Sequence, residues 1–150
     1  KGAEVEFNGK ISDQLNFEYV ASIGNYRFES FKFIENDFSN NVMPGIPKSQ
    51  HNIKIKYKNE SNFNLVVGLK RVGKMFADNS NKTEIDTYSS ISVKMSKNLN
   101  LFETSITPFI SIDNLFNEEY FDNIRINAFG SRFYEPAAGI NFIGGLKLNL

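Results

Sequence analysis

Tyr120, Arg125, Arg132 and Tyr134 fall within one polar stretch near the C-terminal end and carry the side chains best suited to recognising a ligand. A guanidinium pairs with a carboxylate through two parallel hydrogen bonds, and a tyrosine adds a hydroxyl and a flat apolar face. Such a set suits an anionic ligand, and the rival use of the same groups is to brace the loop that holds them. Other chemistry is thin. His51 is the only histidine, which excludes a multi-histidine metal site formed from these residues, and a structural or solvent role fits it. There is no cysteine, so disulfides and thiolate metal sites are excluded. Asp78-Asn79-Ser80-Asn81 hints at calcium, but an EF-hand beginning at Asp78 needs glycine and an acid where Thr83 and Ser89 stand. Gly144-Gly145 reads as close backbone packing inside a strand, not as a phosphate loop. No nucleophile–base pair stands out, so the expectation is a protein that is not an enzyme and has no cofactor or metal site of its own.

Composition narrows the class. The 150 residues contain 17 Lys plus Arg and 17 Asp plus Glu, so nothing attracts a nucleic acid. Fifteen Phe and six Tyr, with no Trp, accompany abundant Asn, Ser and Lys. That mixture favours pleated strands joined by polar loops. No apolar run reaches the roughly 18 residues of a membrane helix, and no basic segment precedes an apolar one as in a signal peptide. A membrane β-barrel remains open, because its strands only alternate. The strand-like opening Lys1-Gly2-Ala3-Glu4-Val5-Glu6-Phe7 leads us to expect a piece of a longer protein.

Stretches of period-two alternation predict about seven strands, near 3–8, 15–24, 52–58, 63–74, 87–96, 105–114 and 140–150. Short turns are predicted around Ser12-Asp13, Asn59 to Asn62 and Lys97 to Asn100; longer connections run to Pro47, through Asp78 to Asn81, and to Ala138. Short and long connections therefore alternate, sorted to opposite ends of the sheet. Outer-membrane barrels sort their loops in this way. Pro108 lies inside a predicted strand and predicts a bulge or an irregular start there.

Glu18, Lys54, Lys56, Lys94 and Lys147 all lie opposite the aromatic and aliphatic residues of their own strands. In a bilayer the apolar face looks out and the charged face lines the lumen; a lysine at the midplane on the wrong face costs about 2–4 kcal/mol. Phe17, Tyr57 and Phe63 stand beside the short turns, where an interfacial aromatic girdle belongs, and Arg71 breaks parity near the long-loop end. A soluble ligand-binding barrel of lipocalin type, with every face inverted, is the alternative reading.

Six pieces, in order, resemble the C-terminal barrel of TonB-dependent outer-membrane receptors: KGAEVEF, MPGIPKSQ, RVGKMFADNSN, IDTYSSISVKMS, PFISIDNLFNEEY and RFYEPAAGINFIGGLKL. NLFNEEY followed by a last strand is the most specific of them. The resemblance implies an all-β, antiparallel transmembrane barrel segment, about the seven C-terminal strands of a barrel with roughly 22. It implies active transport of a ferric chelate of siderophore type, or a similar scarce metal complex such as cobalamin or haem. It also implies outer-membrane lipid as surroundings and TonB as an energy source, reached through an N-terminal region that these residues do not contain; no plug domain or TonB box is among them. The loop carrying Tyr120, Arg125, Arg132 and Tyr134 would then be the last surface loop and help shape the ligand mouth.

Overall fold

The computed structural model describes residues 1–101, 104–132 and 134–149. Long strands dominate: β1 (Gly2–Lys10), β2 (Leu15–Gly24), then a small hairpin of β3 (Lys32–Phe33) and β4 (Asn36–Asp37), then β5 (Ser49–Lys58) and β6 (Phe63–Val72). A second small pair, β7 (Met75–Phe76) and β8 (Glu84–Ile85), precedes β9 (Tyr88–Lys97), β10 (Leu99–Leu101) and β11 (Thr104–Asp113). The last loop holds β12 (Phe121–Ile124), a short 3-10 turn at Phe129–Ser131 and β13 (Tyr134–Pro136), and β14 (Asn141–Asn149) closes the order. The main sheet runs β1-β2-β5-β6-β9-β11-β14, antiparallel between neighbours, with β1 and β14 as unpaired edges. The fold is an open wall of an antiparallel barrel. Its long strands have nine or ten residues. A tilted strand needs about 9–11 to cross the hydrocarbon core of a bilayer.

Register turns the alternation of single strands into two continuous faces. One row runs Phe17–Ile55–Val67–Val93–Ile112–Phe142 across six strands. The neighbouring rows, with Tyr19, Ile53, Leu69 and Ile91 or Leu15, Tyr57, Leu65, Met95 and Ile110, are equally apolar. This face is not packed against anything: Phe7, Ile23, Phe142 and Leu146 are 58%, 56%, 61% and 69% exposed. The opposite face aligns Asn8 with Glu18, Glu18 with Lys54, and Asn52 with Lys70. Glu18 accepts a hydrogen bond from Lys56 and lies 3.6 Å from Lys54. A lipocalin-type barrel would bury the first face and present the second to water. In this chain the first face stays open, and the charged side chains of the second are also partly exposed.

The apolar band also drifts. On β2 it spans Leu15 to Ile23, whereas on β14 it spans Phe142 to Leu148, and Phe142 lies level with Phe17. The band thus steps toward the short-turn end as the sheet is crossed. Strands tilted against a flat apolar layer produce this slope.

Two expectations fail. Residues 97–100 do not form a turn, because strand pairing resumes at Leu99 opposite Ile106 and continues to Leu101. Asn98, the polar residue that suggested a turn, accepts a hydrogen bond from the Ser105 hydroxyl at 2.7 Å. Nor does Pro108 create a bulge. Ser96 pairs with Phe109 and Leu99 with Ile106, so one register holds on both sides of a gap in the ladder. The proline removes a donor from the ladder without inserting a residue. The stretch before Pro47, expected as one long connection, contains the β3–β4 hairpin. Phe133, within RFYEPAAGINFIGGLKL, and Leu150, at the end of the last expected strand, lie outside the described residues.

Candidate functional site

The last loop begins at Asn114, where β11 leaves the sheet. Asn114 has φ 52° and is 4% exposed. Its amide nitrogen donates to the Glu118 and Ala138 carbonyls at 2.9 and 3.2 Å, and its side-chain oxygen accepts from the Glu118 N–H at 2.9 Å. Asn117, also left-handed at φ 54°, accepts from the Ile140 N–H at 2.9 Å. A Cβ on Gly139 would lie 2.6 Å from that Asn117 oxygen, so glycine is what admits this contact. The asparagines of NLFN therefore clamp the two ends of the loop. Asparagine suits both positions because it tolerates the left-handed region and offers a donor and an acceptor together.

Tyr120 leaves this clamp toward the polar face of the sheet and stacks on Tyr88, with ring centroids 4.1 Å apart and an 11° interplanar angle. The Lys70 ammonium lies 5.8 Å from the centre of the Tyr88 ring. Between loop and sheet is a hollow of about 550 Å³ whose lining includes Glu18, Lys54, Lys70, Asp113, Tyr120 and Asp122. Lys70, Tyr88, Asp113 and Asp122 were not singled out in the sequence. Lys70 and Tyr88 have the polar-face parity of their strands near the long-loop end, and that signal could have found them.

Arg125 and Tyr134 lie farther out, on the β12–β13 hairpin. Tyr134 stacks on Phe121 at 4.4 Å, and Arg125 Nε donates to Glu135 Oε1 at 2.6 Å. The Asn123 amide donates to the other Glu135 oxygen at 3.0 Å. These bonds, Asn123's first and then Arg125's with its charge, hold the Glu135 carboxyl below its ordinary pKa. Arg132 is exposed and has no hydrogen bond or ion pair among the described residues. The four candidate residues are therefore not one cluster. Tyr120 faces the hollow, Arg125 and Tyr134 bind the hairpin together, and Arg132 points to an outer surface.

Three long connections interlock around this site. Asn81 exchanges two hydrogen bonds with the backbone of Val42, at 2.7 and 2.8 Å. Asn127 donates its N–H to the Ala77 carbonyl at 2.9 Å and accepts from the Asn79 N–H at 2.9 Å. Ala77 and Ile85, 0% and 4% exposed, form a small core with Met75, Phe121, Ile124 and Ala128 packed on it. The Asp78 carboxylate is occupied by Ser80, Lys82 and Thr83. Burial pushes its pKa up, but hydrogen bonds from Ser80 and Thr83 outweigh that and leave it below the ordinary value. Asp78 thus shapes a turn.

No family model matches the chain. Solved structures do. The siderophore receptor PiuA from Acinetobacter baumannii aligns over 99% of this chain at TM-score 0.79 and 19% identity. BauA, the ferric preacinetobactin receptor of Acinetobacter baumannii, aligns over 97% at TM-score 0.82 and 14% identity. The ferric yersiniabactin uptake receptor FyuA of Yersinia pestis aligns over 98% at TM-score 0.67 and 15% identity. The chain shares its fold with a segment of these receptors. That segment is short: the chain spans 21% of PiuA, 21% of BauA and 22% of FyuA.

Proposed function

We propose that this chain is part of the wall and mouth of a TonB-dependent outer-membrane receptor that imports a ferric chelate of siderophore type. The observation that carries the proposal is the pair of continuous faces. An exposed apolar band on strands long enough to cross a bilayer backs a charged surface, and interlocked loops stand over that surface at one end only. Such an arrangement suits a barrel with lipid outside and a polar lumen within. The folds of the three receptors support the same reading. In it, the hollow under Tyr120 and the outer surface at Arg132 are where loop and wall meet the chelate. Energy from TonB would enter elsewhere in the whole protein.

Cysteine labelling of the full-length protein in membranes tests the faces. Lys56→Cys should react with a water-soluble maleimide entering the lumen, and Ile55→Cys should stay protected by lipid. The opposite result would overturn the membrane reading.

A further inference from the structure

The apolar face carries charge only at its rims. Among the described residues its register positions hold no Asp or Glu, and its charged side chains are Lys97 at the short-turn end and Arg71 at the long-loop end. Arg71 belongs to the row Ala21–His51–Arg71–Ser89, one step beyond the apolar row Tyr19–Ile53–Leu69–Ile91. It is exposed, and among the described residues its one side-chain hydrogen bond goes to the Ser89 hydroxyl at 3.0 Å, so most of its guanidinium donors are uncommitted there. No carboxylate pairs with it among the described residues. Beside it, His51 Nδ1 and the Tyr19 hydroxyl share a hydrogen bond at 2.9 Å, and Nε2 has no hydrogen bond among the described residues. A mostly apolar depression of about 450 Å³ on this face is lined by Phe17, Tyr19, His51, Ile53, Leu69 and Arg71.

We infer that this rim is a site for one lipid whose phosphate headgroup carries a net negative charge, in the leaflet on the long-loop side. The inference rests on the membrane reading above. The phosphate sits against Arg71, with His51 as a second donor, and an acyl chain lies over Phe17, Ile53 and Leu69. Charge decides the class. A guanidinium without a carboxylate partner, at the level where apolar side chains give way to polar ones, meets lipid headgroups, and it binds a phosphate through two N–H donors. The depression below it is mostly apolar and continuous with the apolar band, which fits an acyl chain better than a soluble anion.

The test uses the full-length protein in phosphatidylcholine nanodiscs containing a minor share of phosphatidic acid, with retained lipid read by native mass spectrometry. Phosphatidic acid should be retained about tenfold or more over phosphatidylcholine, the range of a charge-assisted contact. Arg71→Gln should abolish the preference, Arg71→Lys should keep part of it, and excess inorganic phosphate should leave the lipid in place. Equal retention of both lipids by the wild-type protein would overturn the inference without any variant. So would Arg71→Gln behaving as wild type, or displacement by inorganic phosphate, which would mark a free-anion site. Failure to enter nanodiscs would overturn the membrane reading together with this site; insertion without headgroup preference would overturn this site alone.

Discussion

Two arginines that look alike in the sequence are used differently. Arg125 spends its guanidinium on Glu135, whereas Arg132 is exposed and unpaired among the described residues. On the proposed function, Arg132→Ala in the full-length protein should weaken chelate binding about tenfold or more, the worth of one charge-assisted bond, with surface abundance unchanged. Wild-type affinity in that variant would remove Arg132 from the ligand site. Arg125→Ala should act through the hairpin, so Glu135→Gln should reproduce most of its effect. The ion pair is largely solvated, and its loss should show in loop protection more than in global stability. The sign with pH follows from the lowered Glu135 pKa. The hairpin's support is present above the unfolded carboxyl's value of about 4.3 and is lost as pH falls through the lower folded value. Hydrogen exchange of 121–136 should therefore quicken on acidification in the wild type and much less in Glu135→Gln. Asn114 holds the base of the loop. Asn114→Ala removes three hydrogen bonds from a buried site and puts alanine at positive φ, so about 1–3 kcal/mol of local stability should go. Protease nicking between 115 and 139 measures it.

Strands were legible because each face has one environment over its whole length. Leu15–Gly24 is found where alternation from Leu15 to Ile23 placed it, and Phe63–Val72 ends close to its expected limit. The turn expected at 97–100 failed because local polarity was taken for a break, while Ser105 satisfies Asn98 from the next strand. The interlocked loops left little trace in the sequence. Asn81 meets Val42 at a separation of 39 residues, and no period announces such a contact. Tyr120 and Arg125 were visible by type, but which groups they would meet was not, since Tyr88 and Glu135 come from other elements. The strand assignment itself has a sharp energetic test. Val93 lies in the row Phe17–Ile55–Val67–Val93, and its neighbour Lys94 lies on the polar face beside Phe109. Val93→Lys should cost about 2–4 kcal/mol in the full-length protein refolded into lipid vesicles, because it places an ammonium in the apolar band. Lys94→Val should cost far less. Equal costs would mean that the two faces share one environment.

At the scale of the whole molecule, this sheet cannot bury itself. Phe7, Phe142, Leu146 and Leu148 are all more than half exposed, and the largest buried cluster, Ala77 with Ile85, sits in the loops rather than between layers. A soluble domain of this length removes most of its apolar surface from water. Here one whole face of the sheet keeps it. Both edges add to the problem: β1 and β14 each present a row of unpaired backbone donors and acceptors, a template for another chain and a configuration that lipid does not tolerate. Further strands of a closed barrel would satisfy the edges, and lipid or detergent would cover the face. The 150-residue chain on its own, expressed without detergent, should therefore aggregate, and light scattering with size-exclusion chromatography measures this directly. Detergent above its micellar threshold should reduce the aggregation while leaving the edges reactive, so oligomers should persist there. A monodisperse, cooperatively melting monomer in plain buffer would mean that the exposed apolar face finds a partner within the chain, and would favour the lipocalin-type arrangement over a membrane wall.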